Sequence, residues 1–241
     1  MAIKKHIPNF ITSLNLLSGC IAVIVALKYD LYIASFFIVL ASIFDFFDGM
    51  SARLLKIKSD IGKELDSLAD LISFGLAPGL IIFRLISLSG DSSLMINNFN
   101  ILPFFALIIP VFSALRLAKF NIDENQTKSF IGLPTPANAI FMASFPLIIK
   151  FNNSGFFNRM FSNSYFLIVI SIVFSFLLTS KIPMFSFKFS NLKWKDNQIR
   201  YVFILLSLLI IIVFRYSGIP MVIILYILMS IINNSILKVK M

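Results

Sequence analysis

One cysteine, Cys20, and one histidine, His6, occur in the 241 residues. A single thiol excludes an intrachain disulfide and any cysteine-built metal cluster. A single imidazole leaves zinc and copper without their usual donors, and no activated Ser–His pair is apparent for nucleophilic catalysis. Acidic residues are scarce too, 11 against 21 basic ones, for a formal net charge of +10. That excess invites a nucleic-acid reading, but no basic aromatic module and no long soluble segment accompany it. Lys outnumbers Arg 15 to 6, which also argues against bidentate recognition. No nucleic-acid partner is expected. No internal repeat or low-complexity linker divides the chain.

What the chain has in abundance is apolar surface: 59% hydrophobic residues, 28 Phe and a mean hydropathy of +0.93. A membrane span takes about 20 mostly apolar residues, and several such runs are present. The expectation is an all-α, polytopic transmembrane helical bundle forming a single membrane domain over residues 1–241. Helices are predicted at 10–27, 31–55, 64–88, 100–120, 135–150, 165–180, 200–215 and 219–236, about eight spans. With the N-terminus in the cytoplasm, 16 of the 21 basic residues fall in cytoplasmic segments. Lys4, Lys5, Arg53, Lys56, Lys58, Lys63, Arg116, Lys119, Lys128, Lys188 and Lys240 are among them. Lys28, Arg84, Lys150, Arg159 and Arg215 fall on the other side. This bias follows the positive-inside rule and predicts both termini cytoplasmic, with basic loops beside anionic lipid headgroups. Residues 17–20 (LSGC) resemble a lipoprotein processing site, but further spans follow, so they read as part of the first helix. The segment 181–200, with Phe185, Phe187, Phe189 and Trp194 among lysines, reads as either a membrane-surface segment or a solvated loop.

Negative charge is concentrated in one place. Six of the eleven acidic residues are Asp45, Asp48, Asp60, Glu64, Asp66 and Asp70. Asp45 and Asp48 lie three apart, late in the second helix. Asp66 and Asp70 lie four apart, early in the third. Each spacing puts the pair on one helix face. The helices are antiparallel with a cytoplasmic connection, so the four carboxylates converge at similar depth. Unpaired, they would repel one another and be costly to bury. Hard oxygen donors alone favour Mg²⁺, Mn²⁺ or Ca²⁺. Shared carboxylates suit a two-metal site that clamps phosphate oxygens. Gly49 and Ala52 leave room for a ligand, and Arg53, one turn beyond Gly49, offers a cation to a diphosphate. Gly62 allows a tight turn or close packing before the third helix. Asp60 and Glu64 read as ordinary loop charges. An ion-coupled transporter also holds carboxylates inside spans, but does not by itself require Gly49, Ala52 and Arg53 at these offsets.

The stretch reads D-x-x-D-G-x-x-A-R, eight residues, then G-x-x-x-D-x-x-x-D, on Asp45, Asp48, Gly49, Ala52, Arg53, Gly62, Asp66 and Asp70. It resembles the signature of the CDP-alcohol phosphotransferases, which are integral membrane enzymes. The resemblance implies that Asp45, Asp48, Asp66 and Asp70 hold two divalent ions, Mg²⁺ or Mn²⁺, and that Asp70 is the general base. It implies a CDP-lipid site lined by Gly49, Ala52 and Arg53, and a structural Gly62. The flanking IPNFITSLNLLSG (7–19), LISFGLAPG (71–79), SALRLAKFN (113–121) and FIGLPTPANA (130–139) are similar to the bacterial branch whose acceptor is serine. The implied reaction moves the phosphatidyl group of CDP-diacylglycerol to the hydroxyl of L-serine and releases CMP, a step of phospholipid biosynthesis. By the same resemblance a homodimer in a bacterial inner membrane is expected, and the loop charges predict that its site faces the cytoplasm. Glycerol 3-phosphate and inositol phosphate remain alternative acceptors, although a phosphorylated acceptor should need more basic residues. The resemblance covers about 7–150, a catalytic core. Residues from about 160 to 241 add spans that match only in being hydrophobic.

A serine carboxylate needs a cation, for which Arg116 is the first candidate and Lys119 the second. The alternative for Arg116 is to anchor a cytoplasmic helix end. Thr12 and Asn15, three apart in the first span, either face the nucleotide or hydrogen-bond between helices. His6, in the N-terminal segment, is not expected to act as a base.

Overall fold

The computed structural model describes residues 6–56, 59–91, 94–97, 99–122, 130–152, 155–185 and 193–239. Helices α1 (Ile7–Lys28) and α2 (Leu31–Leu55) fold back on each other through Tyr29 and Asp30. The third apolar segment runs through α3 (Asp60–Asp70), a π-helical turn (Leu71–Leu76) and α4 (Ala77–Leu88). A small hairpin, β1 (Met95–Ile96) with β2 (Phe99–Asn100), precedes a 3₁₀ turn (Leu102–Leu107) and α5 (Ile108–Ile122). Strand β3 (Phe130–Ile131) leads into α6 (Thr135–Phe151), α7 (Gly155–Phe161) and α8 (Ser164–Leu178). Strand β4 (Pro183–Met184), then α9 (Trp194–Phe214) and α10 (Gly218–Val239), complete the order. β3 and β4 pair antiparallel, with Ile131 opposite Pro183.

Side-chain size decides how the first helices pack. α1 buries Thr12, Asn15, Ser18, Gly19, Ala22 and Ala26, a stripe at three- and four-residue spacing. α2 contributes Ala34, Ser35, Ile38 and Ala41 to its own buried face. Small faces let backbones approach closely, which is how helices associate without a hydrophobic drive in lipid. α6 buries side chains almost all round, including Phe141, Met142, Phe145 and Ile148, and is the central helix. Gly132, just before it, holds φ +77°, and a Cβ there would lie 2.3 Å from the Leu178 carbonyl oxygen. Only glycine fits that turn.

Among the described residues, five helical stretches are long and apolar enough to cross a membrane, or six if the bent pair α7–α8 is one broken span. One of the five, Asn197–Asn234, doubles back on itself. The rings of Phe203 and Tyr226 are 5.9 Å apart, whereas a straight helix would separate them by about 35 Å. α6 is shorter, at 17 residues. Ile204, Leu205, Leu208, Ile212 and Val213 stand exposed on α9, a surface suited to lipid rather than water. The protein is an integral membrane helical bundle, and an apolar helix stands at each position the sequence predicted for a span.

Three boundaries differ from expectation. α3 begins at Asp60 rather than Glu64, because the Ser59 hydroxyl accepts the Gly62 N–H at 3.3 Å and caps the helix. Asp60 and Glu64 are therefore helical and not loop charges. α9 begins at Trp194, whose ring stacks on Tyr201 at 5.4 Å, so the end of the 181–200 segment is a helix start. α7, bent 69° from α8, was not anticipated. Phe187 and Phe189, with Lys4, Lys5, Lys58, Lys128, Lys188 and Lys240 of the charge count, lie outside the described residues.

Candidate active site

α2 and α3 bring their acidic faces together. Asp45, Asp48 and Asp66 each present a carboxylate oxygen, all within 4.8 Å of one another. Asp70, one turn beyond Asp66 and only 7% exposed, lies against Asp45. Asn15 on α1 donates to Asp70 Oδ1 at 3.3 Å. Thr12, one turn earlier, has its hydroxyl beside Asp48 and donates to the Pro8 carbonyl at 3.0 Å. Asp48 Oδ2 is buried with no hydrogen-bond partner. A buried acceptor without a donor needs an explanation. Converging hard oxygens, one of them orphaned, fit a divalent cation and offer no soft donor for zinc or copper.

Two cavities meet at these carboxylates. The smaller, about 390 Å³, is walled by Thr12, Ala52, Gly62 and Lys63 beside Asp48, Gly49 and Asp66. The larger, about 740 Å³, is reached by Asp45, Asp48, Asp66, Asp70, Arg53 and Arg116. Gly49 borders both cavities, and no atom lies within 4 Å of where its Cβ would stand. Its missing side chain therefore leaves open space and does not relieve a packing contact. Gly62 is the opposite case, since a Cβ there would lie 2.9 Å from Asn9 Oδ1.

Arg116 on α5 is 8% exposed. Its Nη1 donates to Thr135 Oγ1 at 3.5 Å, while its Nε is buried without a partner. Asp70 and Tyr226 are its charged and phenolic neighbours. The guanidinium keeps unused donors at the rim of a polar cavity, which suits a carboxylate or a phosphate.

The remaining sequence candidates separate. Arg53 is exposed, its Nε donates to the Gly49 carbonyl at 2.9 Å, and it borders the larger cavity rather than the smaller. Thr12 faces the smaller cavity, while Asn15 lines neither and is engaged with Asp70. Lys119 is exposed and borders a pocket of about 50 Å³ beside Arg116, away from the carboxylates. His6 stands at the start of α1 and lines neither cavity. Sequence reasoning missed Asp60 and Lys63 at the smaller cavity. It also missed Phe185, Phe203 and Tyr226 at the larger. A Ser-x-x-Gly cap ahead of α3 was the available signal for the first two. Tyr226, one hydroxyl in an apolar run, gave none.

The clustered carboxylates lie where a smaller recess and a wider, partly apolar cavity adjoin inside a membrane helical bundle. The sequence pattern of the CDP-alcohol phosphatidyltransferase family matches residues 5–179, and the chain belongs to that family. Membership selects transfer over the ion-transport alternative, and the family is generally divalent-metal dependent. Curated relatives narrow the likeness. The CDP-diacylglycerol–serine O-phosphatidyltransferase of Helicobacter pylori (strain 26695) is 33% identical over 207 residues, covering 85% of this chain and 81% of the relative. The enzyme of the same name from Bacillus subtilis (strain 168) is 38% identical over 136 residues, 55% of this chain and 70% of the relative. An archaetidylserine synthase of Methanothermobacter thermautotrophicus is 32% identical over 170 residues, 69% of this chain and 66% of the relative.

Proposed function

We propose that this protein transfers the phosphatidyl group of CDP-diacylglycerol to the hydroxyl of L-serine, giving phosphatidylserine and CMP. The observation that carries the reading is the meeting of both cavities at the Asp45–Asp48–Asp66 cluster. The smaller recess, bare at Gly49 and Ala52, takes the cytidine diphosphate. The larger cavity, with its apolar walls, takes the diacylglycerol end and the acceptor. Asp45, Asp48, Asp66 and Asp70 would hold two divalent ions, Mg²⁺ or Mn²⁺. When bound, such ions clamp diphosphate oxygens and offset the charge developing on CMP.

Asn15 holds one oxygen of Asp70 and so orients the other. The Asp70 carboxylate takes the serine hydroxyl proton. The serine oxygen then bonds to the β-phosphorus, which bears diacylglycerol, as the bond from that phosphorus to the bridging oxygen breaks and CMP departs. The Arg116 guanidinium binds the serine carboxylate, fixing the hydroxyl near Asp70. Arg53 supplies positive charge from the rim of the larger cavity. The loop-charge bias supports both termini and this site on the cytoplasmic side of a bacterial inner membrane. A homodimer is the expected assembly.

The test is purified protein with CDP-diacylglycerol, Mn²⁺ or Mg²⁺, and serine, glycerol 3-phosphate or inositol phosphate, following CMP and lipid product. Serine-dependent CMP release is the expected result. Release with glycerol 3-phosphate and not serine would overturn the acceptor, and no release with any alcohol would overturn the reaction.

A further inference from the structure

Asn121 stands in the last turn of α5, five residues after Arg116 and about 7.5 Å further along the helix. The last four carbonyls of a helix have no partner within it. The Asn121 carbonyl is one of them, and Lys63 Nζ donates to it at 2.7 Å. A cation at this end also complements the helix dipole. The Asn121 side chain makes a second bond, its Nδ2 donating to Ser67 Oγ at 2.9 Å. Ser67 Oγ in turn donates to the Lys63 carbonyl at 3.3 Å. Lys63 and Ser67 lie four apart and share one face of α3. Three hydrogen bonds thus close a ring between that face and the end of α5.

The ring sits beside both cavities. Lys63 borders the smaller and Ser67 the larger, while Asp66, next to Ser67, borders both. Arg116, Leu117 and Phe120 are what α5 contributes to the larger cavity. Asn121 is half-buried and lines neither cavity. Its bonds therefore serve no ligand directly. They join the helix that carries Arg116 to the helix that carries Asp66 and Asp70. Elsewhere α5 packs on the π-helical turn and on α8.

We infer that Asn121 is a positioning residue for the transfer. Its amide latches the last turn of α5 to α3 and so fixes the offset between the Arg116 guanidinium and the Asp66 and Asp70 carboxylates. An acceptor held by Arg116 is then presented to those carboxylates at one distance, and displacements of an ångström cost rate steeply. The inference rests on the acceptor reading above and extends it to a residue outside both cavities.

The experiment compares wild type, Asn121→Ala, Ser67→Ala and the double variant in detergent, measuring Tm, and kcat and KM for serine and for CDP-diacylglycerol. Each single change removes the same hydrogen bond from one side and leaves the Asn121 carbonyl to Lys63. Each should lower kcat/KM for serine about tenfold, the upper range for one hydrogen bond, with the lipid KM little changed. The double variant should lose no more than either single one, because partners in one interaction are not additive. A merely structural defect would move the lipid KM and the serine KM together. An unchanged kcat/KM for serine in both single variants overturns the proposal. So do losses that multiply in the double variant, and so does a lipid KM that rises in step with the serine KM. Should Asn121→Ala fail to fold, Ser67→Ala alone decides by the split between serine and lipid. Wild-type protein that ignores serine but uses another alcohol strikes only the acceptor reading, and the same variants are then compared with that alcohol.

Discussion

Asp48 and Gly49 are adjacent on α2, yet different physics makes each matter. Asp48 is costly by itself: a buried carboxylate with an orphaned oxygen beside two others. Gly49 costs nothing to fill, because a methyl there meets no atom. Gly49→Ala is therefore expected to keep the wild-type Tm while raising KM for CDP-diacylglycerol severalfold, since the methyl projects where the two cavities join. An unchanged KM would take Gly49 out of the substrate path. Asp70→Asn is expected to cut kcat by about 10²–10⁴-fold, the usual range for a lost general base. In chelator the same variant should melt above wild type, because one member of a self-repelling buried group is neutralised. Calorimetry and a CMP assay on one preparation read both effects, and full turnover would remove Asp70 as base.

At the scale of elements, the third apolar segment changes its winding where chemistry ends and packing begins. The π-helical turn Leu71–Leu76 starts at the residue after Asp70. Single π turns inside helices are frequent at functional sites. Here Ser73 within the turn donates to the Asn15 carbonyl at 3.0 Å, while the Asn15 side chain donates to Asp70. One residue of α1 is thus gripped by the turn and in turn grips the proposed base. Gly19 makes this approach possible, since a Cβ there would stand 2.2 Å from Ser73 Oγ and 2.8 Å from Ser73 Cα. Gly19→Ala must push α1 away from the turn. It is expected to cost about 1–3 kcal/mol, as overpacking does, and to lower kcat because Asn15 loses its grip on Asp70. A thermal melt and a turnover assay check this, and a variant with wild-type Tm and kcat would show the approach to be slack.

For the whole molecule, the bundle holds like charges together inside an apolar body, and among the described residues no Lys or Arg ion-pairs with Asp45, Asp48, Asp66 or Asp70. Divalent cation should therefore act on stability as well as rate, by binding the folded state. EDTA is expected to abolish turnover and lower Tm, and Mn²⁺ or Mg²⁺ to restore both. Asp48→Asn should show a much smaller cation-induced Tm rise. A wild-type Tm indifferent to divalent cation would count against the metal site.

The acidic face was legible because spacing alone determines it. Residues three or four apart share a helix face in any α-helix, so Asp45 with Asp48 and Asp66 with Asp70 needed no fold to be paired. The apolar runs were legible because a bilayer demands length and apolarity from each segment. Tertiary structure alone decided which partners the lone polar side chains met. Asn15 and Tyr226 are polar residues in helices of apolar surroundings, and nothing local marks the partner of either. Asn15 meets Asp70 across 55 residues of chain and Tyr226 meets Phe185 across 41. Such contacts depend on how closely helix backbones approach, which small residues such as Gly19 and the turn at Gly132 determine only once the helices are assembled.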